Sequence, residues 1–575
     1  MAENPIERYL TDVAEIHGTR SNAPETSYYP ALERLLTEIG RALSPKVRCV
    51  IHPSNRGAGQ PDGGLFTVDQ FRRAPRDAGG PGDPFQGQNP SRGVIEAKAP
   101  SAEVSQIVET EQVGRYWAKY GMVLVTNFRA FALVGKDPAG NPRVLESYSL
   151  ADTEAEFWRL ATHPRRTADD RGDRMVEYLR RVLLHNAPLT EPKEVAALLA
   201  SYAHDARLRI ETADLPALTG LRQALEEALG LRFEGHKGDH FFRSTLVQTL
   251  FYGVFSAWVL WARHHDAKAK GKAAFADALR ESAAPYDASG PFDWRSAHWL
   301  LRVPMLRALF VQVADPERLG ALGLIEALDW TAAALNRVER RAFFKSFDMG
   351  HAVQYFYEPF LQAFDPELRK ELGVWYTPEE IVRYQVERVD AVLRSELELP
   401  DGLADPRVVV LDPCCGTGAY LRAVLRRIAA TLHDKGGDAL VAHDLKKAAM
   451  DRVFGFEILP APFVISHLQL GLELETLGAP LSDRLDPPER VGVYLTNALT
   501  GWQPPKERPK QIAFAGFEEE RDAAARVKQE KPILVILGNP PYNGFAGVAV
   551  DEEGDLTNAY RTTRRAPAPQ GQGAK

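Results

Sequence analysis

One stretch constrains this chain more than any other: Val408-Val409-Val410-Leu411, then Asp412-Pro413-Cys414-Cys415-Gly416-Thr417-Gly418, then AYLRAVLRRIAATL. An unbroken apolar run without polar alternation suits a strand buried on both faces. Such a strand needs helices above and below it, and the residues that follow have the helical period to supply one. Glycines at a strand-to-helix turn let backbone approach a ligand at the carboxyl edge of a parallel sheet. The spacing is not Gly-x-Gly-x-x-Gly. An aspartate directly before the loop disfavours a pyrophosphate and suits a cationic amino-acid group.

The same alternation runs through residues 371–575, with strands expected at VVVLDP, VFGFEI, VGVYLTN and ILVILGNPPY and helices between them, the βαβα order of a doubly wound parallel sheet. Residues 1–165 mix the two signals. YYPALERLLTEIGRAL is helical, and VRCVI, GGLFTV, GVIEAKA, YGMVLVTN and FALVG read as strands. Between the second and third of these lies RRAPRDAGGPGDPFQGQNPSR, too polar and too rich in Gly and Pro to pack, and expected to be a mobile loop. Over 166–370 strand signals vanish. EVAALLASYAHDARLRI, ALTGLRQALEEAL, STLVQTLFYGVFSAWVLWARHH and AHWLLRVPMLRALFVQVA read as helices without a fixed repeat, an irregular helical connector. The expected fold class is thus α/β in three parts, 1–165, 166–370 and 371–575, within what a chain of 575 residues allows.

With 45% hydrophobic and 26% charged residues the composition is that of a soluble globular protein. The net charge of −7 means that any nucleic-acid contact comes from local basic patches. The cysteines are Cys49, Cys414 and Cys415, with no CxxC zinc spacing, so a reducing cytoplasm is expected. No signal peptide is visible at the N-terminus. Leu246–Trp261 falls short of the ~20 apolar residues of a membrane span and contains Gln248, so a buried core helix and no membrane partner are expected.

Three further features surround the glycine turn. Glu457 ends the next strand, where a carboxylate can accept both hydroxyls of a ribose. Asn497 ends the strand after that and can hold an adenine ring. Asn539-Pro540-Pro541-Tyr542 then closes the last apolar run with two prolines, which stiffen the exit and leave carbonyls free to accept.

In this order GVWYTPEEIV (with Thr377 and Pro378), DPCCGTG, GFEI and NPPY resemble motifs X, I, II and IV of the gamma-class adenine-N(6) DNA methyltransferases, over about 370–545. The resemblance implies a Rossmann-like domain in which Thr377, Pro378, Asp412, Gly416, Gly418 and Glu457 cradle S-adenosylmethionine. It also implies that the Asn539 side-chain oxygen and the Pro540 carbonyl accept the two amine hydrogens of adenine. Tyr542 would stack on a base flipped out of double-stranded DNA, partly repaying the cost of unstacking.

Near the other end, Pro61-Asp62 precedes one strand and Glu96-Ala97-Lys98 closes its neighbour. Asp62 and Glu96 can hold Mg²⁺ through hard oxygens. Lys98, on the same face as Glu96, can orient or deprotonate an attacking water. The pattern resembles the PD-(D/E)xK nuclease superfamily, and Gln112-Val113-Gly114-Arg115-Tyr116 is similar to the QxxxY motif of its restriction-enzyme and RecB-like branch. Glu33 on the first helix is a candidate for a further metal-site carboxylate. A nuclease, a helical connector and an adenine methyltransferase on one chain resemble the Type IIG fused restriction-modification enzymes. Gly135-Lys136 and Gly271-Lys272 lack the Ser or Thr of a P-loop, so cleavage without ATP is expected.

The resemblance also implies strands and a target recognition domain after NPPY, whereas the chain continues for 33 residues in a polar, Pro/Gly-rich tail. The sheet is therefore expected to be incomplete, with an apolar edge that soluble proteins usually cover. The alternative to a complete enzyme is a truncated or split subunit, which binds S-adenosylmethionine and cleaves DNA but takes methylation and specificity from a second polypeptide.

Overall fold

A computed structural model of the chain describes residues 4–19, 24–43, 45–72, 88–137, 140–187, 189–212, 218–229, 232–269, 290–297, 301, 307, 310–311, 322–347, 356–365, 377–436, 440–482, 489–502, 515–540, 562–563 and 566–567. Most of the expected mobile loop, the GVWY of the motif-X stretch, much of AHWLLRVPMLRALFVQVA, Pro541 and Tyr542 lie outside the described residues. The chain divides into two compact units, Met1–Thr190 with Arg337–Glu339, and Glu191–Asn336 with Arg340–Lys575.

The first unit is built on a six-stranded sheet in sequential order, β1 (Val47–Ile51), β2 (Gly63–Thr67), β3 (Val94–Ala97), β4 (Val123–Thr126), β5 (Ala130–Lys136) and β6 (Pro142–Ser149). Only β3 and β4 run parallel. That pair needs a crossover, which α4 (Val104–Val108) and α5 (Glu111–Tyr120) provide. The other helices are α1 (Pro5–Thr19), α2 (Tyr29–Arg41), α3 (Val68–Arg72), α6 (Glu154–Ala161) and α7 (Pro164–Leu184).

The period of two along the strands divides the core. Ile95, Ala97 and Leu124 join residues of α1, α2, α6 and α7 in one apolar cluster. Val94, Val123 and Val125 join Val113, Tyr116 and Tyr120 of α5 in another. Each Val, Leu or Ile among these contributes roughly 1.5–3 kcal/mol on burial, and Glu96, between Ile95 and Ala97, is carried by the alternation to the face of α5. The sequence pattern did not mark β6, because it is an edge strand that is largely exposed along its length. Its Glu146 turns inward and meets Arg181 of α7 in a buried ion pair at 2.9 Å.

In the second unit α8 (Pro192–Thr212), α9 (Thr219–Leu229), α10 (Gly235–Ala269), α11 (Ile325–Asn336), α12 (Arg340–Phe347), α13 (Glu358–Phe364) and α14 (Glu379–Ser395) precede the sheet. There β7 (Val410–Asp412), β8 (Val453–Glu457), β9 (Gly492–Leu495) and β10 (Val535–Ile536) alternate with α15 (Ala419–Asp434), α16 (Val441–Asp451), α17 (Pro460–Thr476) and α18 (Ala515–Glu530). The strand order is β10-β7-β8-β9, and every pairing is parallel.

The helices of 166–370 do not stand apart as a unit of their own. α7 packs on α1, while α8 and α11 pack on α10, and α10 packs on α17 beside the parallel sheet. The reason lies in α10, which is apolar all round and needs cover on every side. Among the described residues its segment Gly238–Arg263 is the one helix long and apolar enough to cross a membrane, and 94% of the most apolar window is buried inside the protein.

Candidate functional site

At the carboxyl edge of the second unit's sheet, β7 ends on Asp412, opposite Gly455 of β8, so Glu457 lies two residues further along the neighbouring strand tip. The Cys415 N–H donates to the Phe456 carbonyl at 2.9 Å and ties the turn to β8. Gly416 and Gly418 take φ of +54° and +89°, a left-handed backbone that only glycine adopts without strain, and Gly418 caps α15.

The carboxylates at this edge are buried. Asp412 Oδ1 accepts the Cys414 N–H at 3.1 Å, while Oδ2 is enclosed and meets no donor. Burial, with help from the Glu457 charge, pushes the Asp412 carboxyl up to about 7 against the Cys414 hydrogen bond. Glu457 accepts the Gly416 N–H on Oε2 at 2.8 Å, and those of Ile458 and Leu459 on Oε1 at 2.9 and 2.8 Å. Burial outweighs these bonds and pushes it up to about 7 as well. Cys414 is pushed up to about 12 by burial and by both carboxylates, so its thiol keeps the proton.

The strand β10 brings the Asn-Pro segment to this place. Leu537 N–H bonds the Leu411 carbonyl at 3.1 Å, and Gly538 then passes so near that a β-carbon would overlap the Asp412 carboxylate. Asn539 Nδ2 donates to Thr377 Oγ1 at 3.0 Å across 162 residues of sequence. Thr377 stands just before α14, whose first turn hangs on the Pro378 carbonyl through the N–H groups of Ile381 and Val382. Thr377, Asp412, Gly416, Gly418, Glu457 and Asn539 are therefore gathered at one edge of the sheet. Pro540 is exposed. Asn497 is buried beyond β9, its Oδ1 accepting the Leu499 N–H at 2.9 Å, and the preceding Thr496 N–H bonds the Glu457 carbonyl at 2.8 Å.

In the first unit Asp62 Oδ2 accepts the Ala97 N–H at 2.8 Å, which draws it to the end of β3. Glu96 receives Lys98 Nζ on Oε1 at 2.5 Å and Gln112 Nε2 on Oε2 at 3.1 Å. Thr110 caps α5 by accepting the Val113 N–H, so Gln112 lies in the first turn and Tyr116 one turn later on the same side. Gln112 also donates to the Tyr116 hydroxyl at 3.1 Å, and that hydroxyl donates to the Gln60 carbonyl at 2.7 Å. A hydrogen-bonded path thus runs from Glu96 to the loop that carries Asp62.

Burial raises Glu96, Lys98 opposes, and the charges of Asp62 and Glu25 add to the rise. Burial pulls Lys98 down, but Glu96, Asp62 and Glu25 more than offset it and hold the ammonium protonated. Two hard carboxylates that crowd one another fit Mg²⁺, which retains several waters and takes one or two protein carboxylates. Among the described residues no three His, Cys, Asp or Glu side chains gather closely enough to hold a metal ion.

Glu33 bears on the buried Cys49 thiol, whereas Glu25, from the 3₁₀ turn Glu25–Tyr28 before α2, is the carboxylate whose charge bears on Glu96 and Lys98. The Tyr29 hydroxyl donates to Glu25 Oε1 at 3.5 Å and is pushed up by burial and by Asp62, Glu25 and Glu96. No spacing in the sequence connects Glu25 or Tyr29 with residues so far along the chain.

Several known proteins are similar to this chain. The DrdV–DNA complex aligns with a TM-score of 0.42 and 17% identity over 98% of this chain and 47% of that one. The ATP-dependent Type ISP restriction-modification enzyme LlaBIII bound to DNA gives 0.43 and 17% over 73% and 24%. The type IIG restriction endonuclease BpuSI gives 0.26 and 14% over 90% and 44%. The chain spans less than half the length of each of these. No curated protein matches it. Residues 349–473, which include Thr377, the glycine turn and Glu457, match the N-6 DNA Methylase family, and the chain contains a domain of that family.

Proposed function

We propose that the second unit transfers a methyl group from S-adenosylmethionine to the exocyclic amine of adenine in double-stranded DNA, and that the first unit is a Mg²⁺-dependent endonuclease of the PD-(D/E)xK kind. Together they form a fused restriction-modification enzyme that works in a reducing cytoplasm. The observation that carries the methyltransferase reading is the meeting of Asn539 with Thr377 while Gly538 lies against Asp412. Three segments of the expected motif order converge there on one sheet edge.

When bound, S-adenosylmethionine supplies an electrophilic methyl carbon on a sulfonium. The enclosed Asp412 Oδ2 is fitted to its ammonium group, and Glu457 to the ribose hydroxyls. Asn539, held near Thr377 through Nδ2, turns its side-chain oxygen to one hydrogen of the adenine amine, and the Pro540 carbonyl takes the other. Those two bonds localise the nitrogen lone pair towards the methyl carbon. Tyr542 stacks on the extruded base. The measurement that tests this is tritiated methyl transfer to unmethylated DNA: the intact chain incorporates label and Asn539→Ala does not, whereas equal incorporation would remove Asn539 from the mechanism.

In the first unit Mg²⁺, when bound to Asp62 and Glu96, supplies Lewis acidity at a phosphodiester. Gln112 fixes the Glu96 carboxylate, and the protonated Lys98 orients the attacking water and faces the phosphate charge. Loss of Mg²⁺-dependent cutting in Asp62→Ala and Lys98→Ala, with methylation retained, is expected; unchanged cutting would refute the assignment.

A second reading concerns a partner. Among the described strands β10 pairs with β7 alone, and its Ile536 and the preceding Leu534 are 66% and 49% exposed. That apolar edge supports a second polypeptide that lays a strand beside β10 and carries DNA specificity. The chain alone would then bind S-adenosylmethionine without methylating DNA. Methylation by the purified single chain would rule this out.

A further inference from the structure

Helix α18 buries a lysine in its last turn. Lys528 Nζ donates to Thr496 Oγ1 at 2.8 Å, to the Asn497 carbonyl at 2.7 Å and to the Thr500 carbonyl at 2.9 Å. An ammonium has three protons to give, and three oxygens of one short turn receive them. The ring of Phe456 lies 5.1 Å from the same nitrogen. Next along the helix, Gln529 Nε2 bonds the Gly501 carbonyl at 3.0 Å. Trp502 folds the turn back on itself by donating Nε1 to the Ala498 carbonyl at 2.7 Å, and its ring meets Phe456 edge-on at 6.3 Å. Residues 496–502 are thus wound around a buried cation.

That turn is joined to the cofactor edge at both of its supports. Thr496 donates its N–H to the Glu457 carbonyl, and Phe456 is the residue before Glu457. We propose that Lys528 is a positioning residue for cofactor binding, which holds residues 496–502 in the shape that receives the adenosine half of S-adenosylmethionine. The inference rests on the methyltransferase reading and adds a residue that no motif contains. Lys528 acts through the turn, to whose oxygens its ammonium donates. Without it the Thr496 hydroxyl and the Asn497 carbonyl lose a buried donor and the part-buried Thr500 carbonyl loses another, which the backbone relieves by turning outward. Asp412, assigned to the amino-acid half, lies on another strand, β7.

The test is calorimetric titration of the full chain with S-adenosylmethionine and with 5′-methylthioadenosine, which has the adenosine half and no amino-acid group. Lys528→Met is expected to weaken both ligands by the same factor, about tenfold or more. Thr496→Val, which deletes one acceptor, weakens both about threefold. Asp412→Asn weakens S-adenosylmethionine alone. Binding stoichiometry separates a reshaped turn from a misfolded chain, and if Lys528→Met loses sites, Thr496→Val decides. Wild-type affinity for both ligands in Lys528→Met and Thr496→Val would overturn the inference, as would a loss confined to S-adenosylmethionine. A wild-type chain that binds neither ligand would instead overturn the methyltransferase reading.

Discussion

The affinity for S-adenosylmethionine should depend steeply on pH below neutrality. In the proposed site Asp412 pairs with the ammonium of S-adenosylmethionine only when ionised, and in the ligand-free chain burial and the Glu457 charge push its carboxyl up to about 7. At pH 5.5 only about 3% of Asp412 is then ionised, so the dissociation constant rises on the order of tenfold relative to pH 7.5, above which the cofactor's own ammonium starts to lose its proton. An aspartate at its ordinary value would give almost no change across that range. Glu457, also pushed up to about 7, adds to the effect, so between one and two protons leave per cofactor bound near pH 6. The assay is isothermal titration with S-adenosylmethionine from pH 5.5 to 7.5, run in two buffers of different ionisation heat to count the protons released. Asp412→Asn should bind weakly at every pH with a shallower slope. A dissociation constant constant within twofold over the range, with no proton release, would refute the reasoning.

Three further outcomes follow from the proposed roles. A raised carboxyl contributes fully to stability below its unfolded value near 4, and loses that contribution as pH rises towards its folded value near 7. At pH 8 ligand-free Asp412→Asn should therefore be more stable than wild type by up to about 4 kcal/mol, read from denaturant unfolding, and equally stable near pH 4. Gln112→Ala removes a donor from both Glu96 and Tyr116; cutting should fall roughly 10–100-fold and need more Mg²⁺, with methylation unchanged. Gly538→Ala forces a β-carbon into Asp412 and should weaken S-adenosylmethionine by about tenfold or more on calorimetry, while the first unit's cutting is untouched.

Strands were legible wherever burial wrote a local pattern. The runs around Val410, Phe454 and Val493 are apolar because both faces of a parallel sheet are covered, and each became a strand; the run around Val535 became one as well, although Leu534 and Ile536 stay exposed. The edge strand β6 carried no such pattern, since one long side of it meets water. The boundary expected near 165 also moved. Helical period is the same whichever neighbour a helix chooses, and α7 chose the first unit while α8 chose the second.

The candidate residues divide along the same line. Asp412, Glu457, Asn539, Asp62, Glu96 and Gln112 stand out because each sits at a fixed offset from a strand end or within a helix turn, and short-range geometry is written in consecutive residues. That Asn539 would reach Thr377, that Tyr116 would hold the Gln60 carbonyl, and that Tyr29 and Glu25 would attend Asp62 and Glu96 depended on how distant segments pack. Lys528 is the extreme case: in sequence it is one charge on an amphipathic helix, and only the folded chain buries it among three oxygens. Residue type and local period are enough to specify strands, turns and the chemistry each can offer. Which of those chemistries meet is settled by non-local packing, whose free energy belongs to no single stretch of the chain.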